Sequence, residues 1–233
     1  MSGNMIEHLK WDSEFFGLRI GKCCLNTQSE MDELFSQREK IRTDYDMVYL
    51  FSKNNLQGET ERCHLVDQKV IYATKPSAGS SNAHIMEYPT DYVSTALLSL
   101  ALASGAYSRF RLDDNLPEGS YERLYQRWIE LSVAHEIATE VFCYMMDGEP
   151  KGMVTLKRET TDATIGLVAT DPQYRGKGIG MSMLEYVKNY CWEQNIKKLT
   201  VATQKQNLPA CRLYEKAGFT VESCTNIWHW WLQ

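Results

Sequence analysis

Between residues 175 and 180 the chain reads Arg-Gly-Lys-Gly-Ile-Gly, three glycines at alternate positions with Arg175 and Lys177 among them. Glycine spacing removes the β-carbons that would hold a polyphosphate away from backbone amides, and a helix starting at the turn adds the positive end of its dipole. The short apolar run before it, from Ile165 to Ala169, suits a strand that delivers a phosphate-rich ligand onto the first turn of that helix. The turn lacks the Gly-Lys-Ser/Thr ending of a Walker A loop, and its spacing does not fit the dinucleotide fingerprint. The competing reading is a solvent-facing glycine turn without a ligand, and the strand that leads into it argues against that.

Other residues have chemistry to offer but weaker spacing. Tyr107, Ser108, Phe110 and the guanidinium groups of Arg109 and Arg111 crowd one polar stretch that reads as an exposed loop, where an acceptor can enter or where aromatics merely anchor basic surface. Tyr214, between Leu213 and Phe219, reads on periodicity alone as packing at a sheet edge. Asn207 before Leu208-Pro209 reads as a helix N-cap. His135, Glu136 and Glu140 put one imidazole beside acids, a pattern more often surface chemistry than a base, and no general base is named.

Composition bounds what these residues can serve. The 233 residues, 43% apolar and 24% charged, are those of an ordinary globule able to bury a core. A net charge of −5 and no continuous basic tract argue against nucleic acid or an anionic membrane as the main partner. Seven cysteines, with no CxxC pair and one left over, point to thiols in a reducing compartment, and no run suits a signal peptide or a membrane span, so the expected address is cytoplasmic.

The elements that must position the turn follow from periodicity. The polar stretch KPSAGSSN, Lys75 to Asn82, is read as a boundary between a small N-terminal α/β domain, 1–78, and a larger domain, 82–233. Before it, a helix is expected over Asp32–Arg42 and strands over Met47–Phe51 and Val70–Ala73. After it, a helix capped by Thr90 is expected over Asp91–Ala103, a loop over Ser108–Gly119, and a helix from Ser120. Strands Glu140–Met146 and Lys151–Arg158 join at Asp147-Gly148, a hairpin signal. Then come a strand Ala163–Ala169, a helix Gly178–Gln194, a strand Leu199–Ala202, a helix Pro209–Lys216 closed by Gly218, and a strand Thr225–Trp231. This alternation gives an α/β fold in three layers around a mixed sheet. Trp11, Phe15 and Phe16 are expected in the core, and Trp228, Trp230 and Trp231 in sheet packing or at an oligomer edge, so a homodimer is the assembly to look for.

Arg175, Gly178 and Gly180 match the pattern Arg/Gln-x-x-Gly-x-Gly/Ala, and DPQYRGKGIGMSMLEY, with Asn207 and Tyr214 in TQKQNLPACRLYEKAGF, resembles the GNAT family of N-acetyltransferases over Asn82 to Gln233. The resemblance implies the acyl-CoA N-acyltransferase fold, a central mixed sheet with helices on both faces, and acetyl-CoA as cosubstrate with no metal. It implies cofactor contacts at Leu167, Val168, Ala169, Arg175, Gly176, Lys177, Gly178, Ile179, Gly180 and Asn207, with a backbone amide at 167–169 facing the thioester carbonyl and Tyr214 as the general acid toward sulfur. Three shorter stretches, KWDSEFFGLRI at Lys10, SRFRLD at Ser108 and QRWIE at Gln126, resemble two-domain members that acetylate nucleotide-linked amino sugars in surface-polysaccharide synthesis, the lipopolysaccharide and enterobacterial common antigen class. They imply a dTDP-linked amino-dideoxyhexose as acceptor, dTDP-4-amino-4,6-dideoxygalactose foremost, with Tyr107, Ser108, Arg109 and Arg111 as substrate contacts and a guanidinium on the diphosphate. A protein or small-amine acetyltransferase, and a non-catalytic CoA-binding module, are the alternatives.

Overall fold

In the computed structural model, which describes residues 6–79 and 82–233, apolar strands and amphipathic helices alternate around one mixed sheet. In chain order these are β1 (Glu7–His8), α1 (Lys10–Phe16), β2 (Ile20–Cys24), α2 (Gln28–Ser36), α3 (Arg38–Ile41), β3 (Met47–Ser52), β4 (Cys63–Thr74) and β5 (Ile85–Glu87). They continue as α4 (Thr95–Ser104), α5 (Arg109–Leu112), α6 (Ser120–Val133), β6 (Glu140–Met146), β7 (Glu149–Arg158), β8 (Asp162–Thr170), α7 (Ile179–Glu193), β9 (Lys198–Gln204), α8 (Leu208–Lys216) and β10 (Thr220–Trp231). The strand order is β1-β2-β3-β10-β4-β9-β8-β7-β6-β5, ten strands in a single sheet.

Helices cover both faces, as expected. On one, α1, α4, α5 and α6 pack on Tyr49, Cys143, Met153 and Leu167. On the other, α7 and α8 cover Val70, Tyr72, Ile165 and Val201, while α2 and α3 cover Val48, Leu50, Trp228 and Trp230. The period of two along a strand does the sorting: Trp228 and Trp230 point to one side, His229 and Trp231 to the other.

The seam expected at Lys75–Asn82 lies in the connection from β4 to β5, and its residues 80 and 81 fall outside the described residues. The sheet runs across it. Residues of β4 pair with β10 on one side and with β9 on the other, from Lys69 opposite Gln204 to Thr74 opposite Leu199. A strand from before the seam thus lies between two strands from after it, and 1–78 and 82–233 are interleaved.

Several local expectations needed adjustment. The helix expected over 32–42 begins earlier, at a capping box in which Thr27 and Glu30 satisfy each other's backbone amides, and it breaks at Gln37 into α2 and α3. The cap of α4 is Ser94, whose hydroxyl accepts from the Leu97 amide, and not Thr90. The loop expected from Ser108 contains α5, capped by Ser108 itself. Trp11 is 44% exposed and stacks on Phe15, while Phe16 alone of that cluster is buried. At the Asp147-Gly148 turn both residues have positive φ, 52° and 78°, as a two-residue hairpin requires.

Polar residues lock α5 to the sheet. Asp113, just after α5, meets Nδ1 of His229 at 2.5 Å and accepts from Trp231 Nε1 at 3.1 Å. His229 is wholly buried against Tyr49. Burial pulls its imidazole down to about 4; Asp113 opposes this and the Arg109 charge adds to it. An unfolded histidine titrates near 6.5, so between about 6.5 and 4 the unfolded chain takes up a proton that the native ring refuses. Its contribution is complete above that window and is lost as pH falls through it. Asp67, raised to about 6 by burial, acts in the opposite sense over an overlapping range. The His229 share is therefore read as a difference: the gap in melting temperature between the protein and H229Q narrows from about pH 7.5 to about 4.5. Thermal melts across that range check it, and a constant gap contradicts it.

Candidate active site

The site begins where two parallel strands part. β8 and β9 pair from Asp162 opposite Lys198 to Ile165 opposite Val201, and there the pairing stops. The cause lies on the other edge of β8, where the β7 register shifts between Val154 and Leu156. At this bulge the hydroxyl of Thr155 accepts from the amide of Leu167 at 2.8 Å. Residue 166 must be glycine, because a β-carbon there would stand 2.8 Å from that hydroxyl. The Leu167 amide is thereby occupied, as is that of Asp171, which donates to Lys151 O. Peptide groups alternate along a strand, so the Val168 amide faces the gap. Of the three expected contact residues, Val168 is thus the one whose amide is directed into the gap between the strands. Leu167 and Ala169 turn their side chains into the core.

Beyond Thr170 a single 3₁₀ turn, Pro172–Tyr174, capped by Asp171, leads into the glycine turn. Gly176 and Gly178 have φ of 76° and 82°, the left-handed region that glycine enters without strain. Gly178 is also the N-cap of α7, and no side chain caps the helix. The first intrahelical bond into this end runs from Ser182 to Gly178 O, so the amides of Ile179, Gly180 and Met181 have no partner in the helix. Nothing lies within 4 Å of where β-carbons at 176 or 178 would sit. The side chains of Arg175 and Lys177 are exposed beside this open end, the latter with Nζ 4.3 Å from the Tyr174 ring centroid. Uncapped amides, an open cradle and two cations fit the pyrophosphate of a coenzyme A. The side chain of Ile179 is buried, so its share is its amide alone.

The helix that follows β9 comes close to this turn. A β-carbon on Gly180 would lie 3.1 Å from Leu213 of α8, and the next residue is Tyr214. Tyr214 is buried among Tyr72 and Phe219, with ring centroids 5.7 and 6.0 Å away. Burial, and secondarily Cys211, holds its phenol well above the ordinary tyrosine range, so it carries its proton at neutral pH. Asn207 caps α8, accepting from Ala210 N at 3.3 Å, and its amide nitrogen donates to Thr203 at 3.3 Å. The cap reading of Asn207 is the one these bonds support.

The residues expected to contact substrate lie on the opposite face and divide. Ser108 is buried, its hydroxyl committed to the Phe110 amide. Tyr107 is exposed, and Arg111 lies over the Tyr121 ring at 5.6 Å. Arg109 turns inward between Tyr49, 4.8 Å from the centroid, and Phe110, at 4.5 Å. Asp12, Asp67 and Lys69 reach the same neighbourhood from α1 and β4. Sequence reasoning missed all three. The available signal was the alternation in β4, where Asp67 and Lys69 stand two apart on one face of a strand whose next inward positions are Val70 and Tyr72. Glu140 is absorbed into structure, bonded to Arg158 and Tyr190 at 2.7 Å each. Among the described residues no group of three His, Cys, Asp or Glu is arranged for a metal, and no helix is long and apolar enough to cross a membrane.

Residues 103–219 match the model of the acetyltransferase (GNAT) family. The chain is 29% identical over 232 residues, 96% of each chain, to dTDP-fucosamine acetyltransferase of Escherichia coli O6:H1. It is 34% identical over 82 residues, 34% of this chain and 47% of the other, to streptothricin acetyltransferase of Escherichia coli. Among solved structures, a functionally unknown conserved protein from Staphylococcus epidermidis superposes over 99% of this chain and 92% of its own, with TM-score 0.67 and 9% identity. A GCN5-related N-acetyltransferase from Sphaerobacter thermophilus does so over 91% and 73%, with TM-score 0.57 and 12% identity. At those identities the likeness is one of fold.

The left-handed turn has a measurable consequence. Gly178→Ala meets no atom but must hold a β-carbon at φ 82°, so it destabilises the protein by about 1–2 kcal/mol. Urea unfolding of the variant checks this, and an unchanged midpoint contradicts it.

Proposed function

Because the chain belongs to the GNAT acetyltransferase family, we propose that it moves the acetyl group of acetyl-CoA onto the amine of a nucleotide-linked amino sugar, a dTDP-linked amino-dideoxyhexose with dTDP-4-amino-4,6-dideoxygalactose foremost. The observation that carries the acceptor assignment is the extent of the likeness to the Escherichia coli protein. It spans 96% of both chains, including residues before 103 that the family model leaves out.

Acetyl-CoA supplies an acyl group activated as a thioester. The glycine turn Arg175–Gly180 and the uncapped start of α7 hold its pyrophosphate, and the open edge of β8 at Leu167, Val168 and Ala169 lines its pantetheine arm. The Val168 amide donates to the thioester oxygen, where negative charge develops as the amine attacks. Asn207 keeps α8 in register with β9, and α8 carries Tyr214. Tyr214 holds its proton at Oη and passes it to sulfur as the C–S bond breaks. Burial keeps the phenol protonated at neutral pH, so the proton is in place when charge develops on sulfur. The amine arrives as an ammonium, loses one proton to water before attack and a second to water as the amide forms, which balances the proton that Tyr214 gives to sulfur and later regains from water. Positioning of the two reactants beside the gap supplies much of the remaining rate.

Three experiments test this. Purified protein is expected to release coenzyme A from acetyl-CoA with a dTDP-linked 4-amino-4,6-dideoxyhexose; turnover confined to peptides or polyamines across a matched panel rejects the acceptor class. Tyr214→Phe keeps the ring and its packing but removes the proton. It is expected to lower the single-turnover rate by about 10²- to 10⁴-fold while acetyl-CoA affinity changes little. Arg175→Ala is expected to do the reverse, weakening acetyl-CoA binding with a smaller effect on the bound rate. An unchanged single-turnover rate for Y214F removes the tyrosine from the acid role and leaves the acetyl-transfer reading standing.

A further inference from the structure

On the face that α5 covers, β4 presents Ile71, Lys69 and Asp67 in succession. Ile71 pairs with Ala202 of β9, at the level where β8 and β9 have parted, and Lys69 pairs with Gln204. Lys69 therefore lies one strand across and two residues along from the gap, about 8 Å by strand geometry. That is room for one sugar ring.

Arg109 belongs to α5, which packs on β4, and its charge is felt at Lys69. Its guanidinium is bracketed by Tyr49 and Phe110, with Phe51 at 5.9 Å. Nε is enclosed and has no hydrogen-bond partner. Among the described residues neither Arg109 nor Lys69 has a carboxylate within ion-pair distance. The Lys69 side chain reaches solvent, yet its ammonium is held below the ordinary lysine range, first by the protein atoms crowding it and then by the charge of Arg109, with the Asp67 charge opposing and Lys22 adding a smaller share. Asp67 and Asp12 share this face, and burial raises both carboxyls, Asp67 to about 6. They leave the two cations without a bonded counter-ion. Two cations that repel each other, one of them with an enclosed and unsatisfied N–H, are relieved by an anion that touches both.

We infer that Lys69 and Arg109 form an anion subsite that takes the diphosphate of the nucleotide-linked acceptor. The inference rests on the acetyl-transfer reading for the identity of that acceptor. The subsite sets the distance between the diphosphate and the acetyl group, so that the sugar ring lies over Ala202 and its amine meets the thioester at the gap. It also gives β4, a strand from before the seam, a part in choosing the substrate.

The test uses dTDP as probe for binding, and two acceptors for turnover: the dTDP-linked amino sugar and the methyl glycoside of the same sugar. Lys69 is exposed, so Lys69→Ala spares the core. Titration calorimetry is expected to show dTDP binding to the protein, weakened at least tenfold in K69A and largely restored in K69R, the size of one charge-assisted contact. In turnover, the preference for the nucleotide-linked acceptor over the glycoside, as a ratio of kcat/KM, is expected to fall about tenfold in K69A, mainly through KM. No dTDP binding to the protein, equal dTDP affinity in K69A, or an unchanged preference overturns the subsite, even if the amino sugar is acetylated. Lys69-dependent dTDP binding without acetylation of any amino sugar upholds the subsite and rejects the proposed acceptor instead.

Discussion

The bond from the Leu167 amide to the Thr155 hydroxyl decides where the sheet comes apart. It turns a backbone donor of β8 toward β7 at the bulge, and pairing with β9 ends at Ile165 and Val201. A gap between adjacent parallel strands leaves backbone groups without sheet partners, and such groups are costly unless something bonds them. Here β8 runs on into the turn that starts α7 and β9 runs on into α8, so the defect in the sheet and the proposed binding site are the same place. Gly166 is the sequence's concession to this geometry, since any side chain would collide with Thr155.

What lies on either side of the gap differs in chemistry because the two faces differ in packing. The α7 and α8 face is apolar around Tyr72, Tyr214 and Phe219, and a phenol placed there is kept neutral. The α5 face buries Asp67, Asp113 and His229, and the charges of Arg109 and Lys69 are felt at Asp67. A phenol on one face and fixed charges on the other suit the proposed reaction, in which one partner leaves as a thiol and the other carries ionic groups.

The interleaving of β4 ties these faces together. With β10 on one side and β9 on the other, it bonds residues before the seam to both strands that flank α8 in the chain. Cutting at the seam would expose both edges of that slot, so the roughly eighty N-terminal residues and the rest cannot each complete a sheet alone. Long-range pairing of this kind leaves little trace in local sequence, and the polar stretch at Lys75–Asn82 carries no sign that β4 lies between β10 and β9.

Local sequence was enough for the glycine turn, because φ near 80° at Gly176 and Gly178 and an uncapped helix start are consequences of residue type within a few positions. It was enough for the Asp147-Gly148 hairpin, for Asn207 as a cap, and for the alternation that makes an α/β sheet. It was not enough for α1 and the short strands at the edges, whose brief apolar patterns are stabilised by neighbours distant in the chain. Nor did it reveal that Ser108 spends its hydroxyl on a cap, that Arg109 turns inward, or that Asp67 and Lys69 from β4 meet it beside the gap. Those facts depend on which strands become neighbours, and strand order is settled by the burial of whole faces. Periodicity reports which side of a strand is apolar; only the closed sheet decides which charges then share the other side.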